Sequence, residues 1–157
     1  RSPRFSAVAV GVARRFLDVY ADKTAGRVRA YTGAQVGQTA PAYMRLAEAT
    51  HMVRAAQATL SQDWAEIASR SRSGQLPSAA ELAMWRTNQA YATRTAIGAV
   101  NLLFAGSGGS AWFLHNEMQR LWRDANMAGA HAYSDYDIAT QRLGRDLLGL
   151  EPDMAIF

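Results

Sequence analysis

The stretch TAPAYMRLAEATHMVRAAQATLSQDWAEIASRS, Thr39 to Ser71, contains no glycine, and its single proline lies two positions from its start. Thr39 is placed to cap a helix, and Pro41 falls in the first turn, where a missing N–H costs nothing. Val53, Ala56, Leu60, Trp64 and Ile67 recur at spacings of three and four and form one apolar stripe. Met44, Ala47, His51 and Ala55 form a second stripe, made mostly of small side chains. At about 1.5 Å per residue this helix is roughly 45 Å long. Two apolar sides on one long helix predict burial on two sides, as in the middle of a helical bundle.

The flanking sequence reads the same way. Pro3 to Thr24 predicts a helix with Ala9, Val12, Phe16, Val19 and Tyr20 on one face. Gly26 to Thr39, with Gly26, Gly33 and Gly37, breaks the pattern and is expected to be a long connection. Ser71 to Ser78 is a turn, and Ser78 with Glu81 is a capping-box pattern. A third helix follows to about Ala105, with Leu82, Trp85, Ala92, Ala96, Val100 and Leu103 inward. Gly106-Ser107-Gly108-Gly109-Ser110 stops it. A fourth helix is expected over Trp112 to Ala128, and a last one over Asp135 to Leu148, ending at Gly149 with Pro152 beyond. No strand and no internal repeat is visible. The expected fold is all-α: an antiparallel four-helix bundle with a short extra C-terminal helix, one domain over residues 1–157.

Bulk properties narrow the function classes. The chain has 157 residues, about half of them hydrophobic, enough for one domain with a sizeable core. No cysteine is present, which removes disulfides and thiolate metal sites and makes the cytoplasm the default location. The net charge is +4, and Lys23 is the only lysine. The arginines are scattered apart from close pairs such as Arg14/Arg15, Arg27/Arg29 and Arg70/Arg72, so no basic patch marks a nucleic-acid partner. No apolar run is long enough to span a membrane.

Three features bear on chemistry. His131 follows the fourth helix and precedes Tyr133, Asp135, Tyr136 and Asp137. An imidazole there is either a helix-end residue bonded to a carbonyl or a donor and proton carrier facing a bound oxygen species, with Asp135 or Asp137 as a candidate to orient it. The run Gly106–Ser110 is either a cap with a tight turn or backbone that a flat or phosphorylated ligand approaches. Trp112 and Phe113 belong to a core or wall a pocket, as His115 could. Glu48 to His51 is the one Glu-x-x-His spacing; a di-iron bundle needs two, so no metal site is expected.

The segments RVRA (Arg27–Ala30), RLAEA (Arg45–Ala49), LLFAGSGGSA (Leu102–Ala111) and above all QRLWRDANMAGAHA (Gln119–Ala132) resemble the C-terminal helical domain of the acyl-CoA dehydrogenase superfamily. They are most similar to its flavin-dependent monooxygenase branch, the oxygenase components of two-component aromatic hydroxylases. The resemblance covers nearly the whole chain. It implies a C-terminal part of a longer protein whose N-terminal helical and middle β-domains are absent here. It further implies reduced FMN (FAD possible) delivered by a separate flavin reductase, O2, a flavin C4a-hydroperoxide, and hydroxylation of an aromatic or polyketide-like small molecule. His131 is then the catalytic donor, Gly106, Ser107, Gly108, Gly109 and Ser110 the cofactor contacts, and Trp112, Phe113 and His115 the substrate-pocket wall. Arg123 and Asp124 are expected to be structural. A homotetramer without nucleic-acid or membrane partners is implied as well.

Alternatives stay open on the residues alone. An N- or S-oxygenating enzyme of the same branch differs only in its pocket. An acyl-CoA dehydrogenase is disfavoured, because one common pattern of that branch places its catalytic glutamate where Ala132 stands, and its R-x-Q-F-G segment is not recognisable around Arg27 to Gly33. A non-catalytic helical oligomerisation module is the remaining possibility.

Overall fold

The computed structural model describes residues 4–30 and 32–151. They form five α-helices: α1 (Arg4–Ala25), α2 (Ala40–Ser73), α3 (Ala79–Ala105), α4 (Glu117–Gly129) and α5 (Tyr136–Leu147), with short 3-10 turns at Val36–Gln38, Gly109–Trp112 and Ala132–Ser134. Among the described residues there is no strand, only an isolated bridge between Val28 and Gln35 inside the α1–α2 connection. The all-α expectation holds. No helix of the described residues is long and apolar enough to cross a membrane. Pro3, where the first helix was expected to begin, and Pro152 lie outside the described residues.

Side-chain pairs report the helix directions. Asp63 meets Asn88, Glu66 meets Trp85 and Arg70 meets Glu81, so α2 and α3 run antiparallel as a hairpin. The partners Phe5–His131 and Arg15–Glu117 set α1 antiparallel to the segment carrying α4. Helix α3 is the centre, packed against each of the other four. The core joins Phe16 and Tyr20 of α1, Val53 and Leu60 of α2, Val100, Leu103 and Phe104 of α3, and Met118 and Leu121 of α4. Near the end of α4, a Cβ on Gly129 would lie 2.5 Å from Ile97 Cδ1. A side chain there would have to displace the end of Ile97, next to where the chain leaves α4 towards His131.

Three expectations are corrected. The second stripe of α2 is exposed at Met44, Ala47, His51 and Ala55. The first stripe is buried only at Val53, Ala56 and Leu60; Trp64 is 52 % exposed and Ile67 also faces outward. Helix α2 has 34 residues against 22 in α1, so the end of the α2–α3 hairpin runs past α1, and Ile67 and Leu82 are exposed there. The fourth helix begins at Glu117 rather than Trp112, with Asn116 as N-cap, its Oδ1 accepting from Met118 N at 3.0 Å. It has 13 residues, so the bundle holds three long helices and two short ones.

Candidate functional site

His131 lies on the surface, after Ala130 closes α4. Its ring is stacked against two aromatic neighbours. Phe5 stacks at 3.8 Å between centroids with 17° between planes, and Tyr133 stacks at 5.8 Å and 16°. The guanidinium of Arg86 sits over the Tyr133 ring, 5.1 Å from its centre. Nδ1 accepts from the backbone N–H of Tyr133 at 3.1 Å. With Nδ1 used as acceptor, the neutral ring carries its proton on Nε2 and keeps it there as a donor. The orienting group is therefore a backbone amide. Asp135 is committed elsewhere: it caps α5, Oδ1 accepting from Ile138 N at 3.0 Å. A cleft of about 320 Å³ adjoins the ring, with Arg94, Ile97, Gly129 and Tyr136 in its wall. Arg94 is stacked on Tyr136 at 4.4 Å.

The Gly106–Ser110 loop is built at the other end of α1. Gly106 closes α3 in a right-handed conformation, and Ser107 is buried, its hydroxyl donating to Leu103 O at 2.8 Å. Gly108 has φ 77° and ψ 174°, a region essentially confined to glycine. The guanidinium of Arg27 donates to the carbonyls of Ser107 and, at 2.9 Å, of Gly106. Asn116 Nδ2 donates to Ser110 O at 2.9 Å, and Lys23 Nζ donates to Asn116 Oδ1 at 2.7 Å. A Cβ built on Gly109 meets nothing within 4 Å, so the backbone there is open. Trp112 and Phe113 follow, 60 % and 59 % exposed. Trp112 is edge-on to Phe104 at 4.6 Å, and Phe113 stacks on His115 at 5.6 Å.

The structure thus brings the loop, Trp112, Phe113 and His115 together, and keeps them apart from His131. Phe5 marks the histidine end of α1 and Lys23 the loop end; that span is roughly 27 Å at about 1.5 Å per residue. No tricyclic ring reaches both within one chain. Phe5, Tyr133, Arg86 and Arg27 were missed from the sequence. Arg27 lay inside the RVRA segment, but nothing local tells which arginine faces the loop. The pairing of Phe5 with His131 is a contact between chain ends. Glu48 and His51 are both exposed, and no group of metal-ligating side chains occurs among the described residues. Asp124 pairs with Arg120 at 3.2 Å on the same helix, as expected of a structural carboxylate; Arg123 is exposed without an ion-pair partner among the described residues.

The family model described as "Acyl-CoA dehydrogenase, C-terminal domain" matches residues 4–136, and the chain belongs to that family. It is 50 % identical over 149 residues to the oxygenase component of p-hydroxyphenylacetate 3-hydroxylase from Acinetobacter baumannii, covering 95 % of this chain and 35 % of that protein. It is 32 % identical over 156 residues to the oxygenase component of FADH(2)-dependent resorcinol hydroxylase from Rhizobium sp., covering 94 % and 38 %. The crystal structure of 3-HSA hydroxylase from Rhodococcus sp. RHA1 superposes with a TM-score of 0.88 at 29 % identity, over 99 % of this chain and 40 % of that one. The chain therefore spans little more than a third of the length of the curated relatives it matches.

Proposed function

We propose that the chain is the C-terminal bundle of the oxygenase component of a two-component flavin-dependent monooxygenase. Its complete polypeptide takes reduced flavin from a separate reductase and hydroxylates a small aromatic substrate with O2. FMN is the proposed cofactor; the name of the resorcinol relative keeps FAD beside it. The cytoplasm is the proposed location, and a homotetramer the proposed assembly.

The single observation that carries this reading is the fixing of His131 by stacking and by the Tyr133 amide, which leaves Nε2–H as a directed donor. When bound, reduced flavin supplies the electrons that activate O2. A donor held in advance stabilises negative charge on oxygen without reorganising at the moment of reaction. The ring also serves as a proton carrier for a phenolic substrate. The residues fit such a cofactor: open backbone at Gly109, exposed Trp112 and Phe113, and two cations, Lys23 and Arg27, beside the loop. Ala132, at the position of the dehydrogenase glutamate, supports oxygenation over dehydrogenation.

The separation of His131 from the loop favours a site completed between copies, one copy giving the histidine and another the loop. The test is His131→Ala in the complete polypeptide. The expected result is hydroxylation yield reduced roughly tenfold or more, with peroxide released in its place and reduced flavin still consumed. Unchanged coupling of flavin oxidation to hydroxylation overturns the role of His131.

A further inference from the structure

We infer that Arg27 is a positioning residue for the cofactor: its guanidinium sets the backbone shape of the Gly106–Ser110 loop that receives flavin. The inference rests on the proposed function, in which that loop faces the flavin.

Arg27 belongs to no helix and caps none. Its own backbone is tied down on both sides, its N–H donating to Thr24 O at 3.3 Å and its carbonyl accepting from Val36 N at 2.8 Å. Among the described residues no carboxylate pairs with it. Its donors go instead to two consecutive loop carbonyls, those of Gly106 and Ser107. A charged donor bonded to a carbonyl makes a stronger bond than a neutral one, and a planar fork holding two acceptors also fixes their orientation.

The loop is wrapped around this group. A Cβ on Gly108 would lie 3.0 Å from Arg27 Nη1, and the glycine-only conformation at Gly108 turns the chain past the guanidinium. The next residue, Gly109, is open on its Cβ side. So one side of the loop is filled by a fixed cation, while the adjoining backbone is free to be approached. Losing Arg27 leaves the Gly106 and Ser107 carbonyls without their side-chain donor and frees the glycine-rich turn at Gly108 on that side. Asn116 holds the far end of the loop through Ser110, but it also caps α4 and accepts from Lys23. Arg27 is the clamp whose removal touches the loop alone.

The test compares Arg27→Met, Arg27→Lys and Gly109→Val in the complete polypeptide. The measurements are the Kd for reduced FMN by anaerobic titration, the thermal midpoint, and the KM for the aromatic substrate at saturating flavin. Gly109→Val adds bulk to open backbone without strain and reports whether flavin meets the loop. The expected result is a flavin Kd raised roughly tenfold by Arg27→Met, the loss of charge-assisted bonds. Arg27→Lys is expected between Arg27→Met and the parent, with the aromatic KM unmoved in both Arg27 variants and any fall in thermal midpoint accompanied by the rise in flavin Kd. Weakened flavin binding in Gly109→Val with parental affinity in Arg27→Met overturns the role of Arg27 and leaves the loop reading standing. Parental affinity in Gly109→Val overturns the loop reading and the inference with it. A lowered midpoint in Arg27→Met without change in flavin Kd makes Arg27 a structural residue and also overturns the inference. If Arg27→Met does not fold, Arg27→Lys decides: intermediate affinity supports the role, parental affinity overturns it.

Discussion

Asp63 is buried between α2 and α3 at 3 % exposure, with Oδ1 accepting from Asn88 Nδ2 at 2.7 Å and Oδ2 without a partner among the described residues. Burial pushes its carboxyl up from 3.8 to about 6, against the opposing pull of the Asn88 hydrogen bond, and neighbouring Glu66 adds to the rise. The folded state then binds the proton more tightly than the unfolded chain, so stability falls as pH rises from about 4 to about 6 and is level above that. Asp63→Asn mimics the protonated form. It is expected to stabilise the chain by on the order of 2 kcal/mol at pH 8, with the gain vanishing towards pH 4. Urea unfolding across that range checks it; a gain that persists at pH 4 contradicts the assignment. Nothing in the sequence announced this residue, because Asp63 sits beside Trp64 in a pattern that reads as an ordinary polar position. His131 was legible from its motif, while Tyr133 and Phe5, which hold it, were not: one acts through its backbone and the other comes from the opposite end of the chain.

At the scale of elements, local rules worked where the partners are local. The capping box at the start of α3 is complete: Ser78 Oγ accepts from Glu81 N at 3.2 Å, and Glu81 Oε2 accepts from Ser78 N at 2.8 Å. These bonds, with Arg70 nearby, hold the Glu81 carboxyl below the usual carboxylate range. Ser78→Ala is expected to cost about 1 kcal/mol, a fall of about 3 °C in thermal midpoint for a chain of this size. Calorimetry of the two forms gives the comparison, and an unchanged midpoint removes the cap from the account of α3 stability. The start of α4 was misplaced for an equally local reason. Trp112 and Phe113 look like the opening of an apolar helix face, yet the turn at Gly108 sends them outward, and the cap three residues beyond Phe113, Asn116, is the one that engages an orphan N–H. Two candidate starts stand within five residues of each other, and only backbone direction chooses between them.

At the scale of the whole molecule, the bundle leaves surfaces that a single chain does not cover: the small-residue stripe of α2, the hairpin beyond α1, and the aromatics after the loop. The proposed site is also split, since the loop and His131 lie at opposite ends of α1. If the site is completed between copies, two defective variants complement each other. At a reduced flavin concentration too low to fill the Gly109→Val loop, co-assembling equal amounts of His131→Ala and Gly109→Val in the complete polypeptide is expected to restore about a quarter of the sites under random mixing in a symmetric oligomer. Product formation in mixed assemblies, against that of either variant alone, is the measurement. No recovery on mixing rules out a shared site.

The sequence by itself determined the helical periods, the capping box, the bundle class and the family motif that singles out His131, because each rests on residues within a few turns of one another. Only the tertiary structure decided which stripes are covered, that Arg27 bonds the glycine loop, that Phe5 stacks on His131, and that the loop and His131 stand apart. Those are contacts between residues distant along the chain, and their geometry depends on how far each helix extends past its neighbour. Periodicity fixes which side of a helix is apolar; packing settles what, if anything, lies against it.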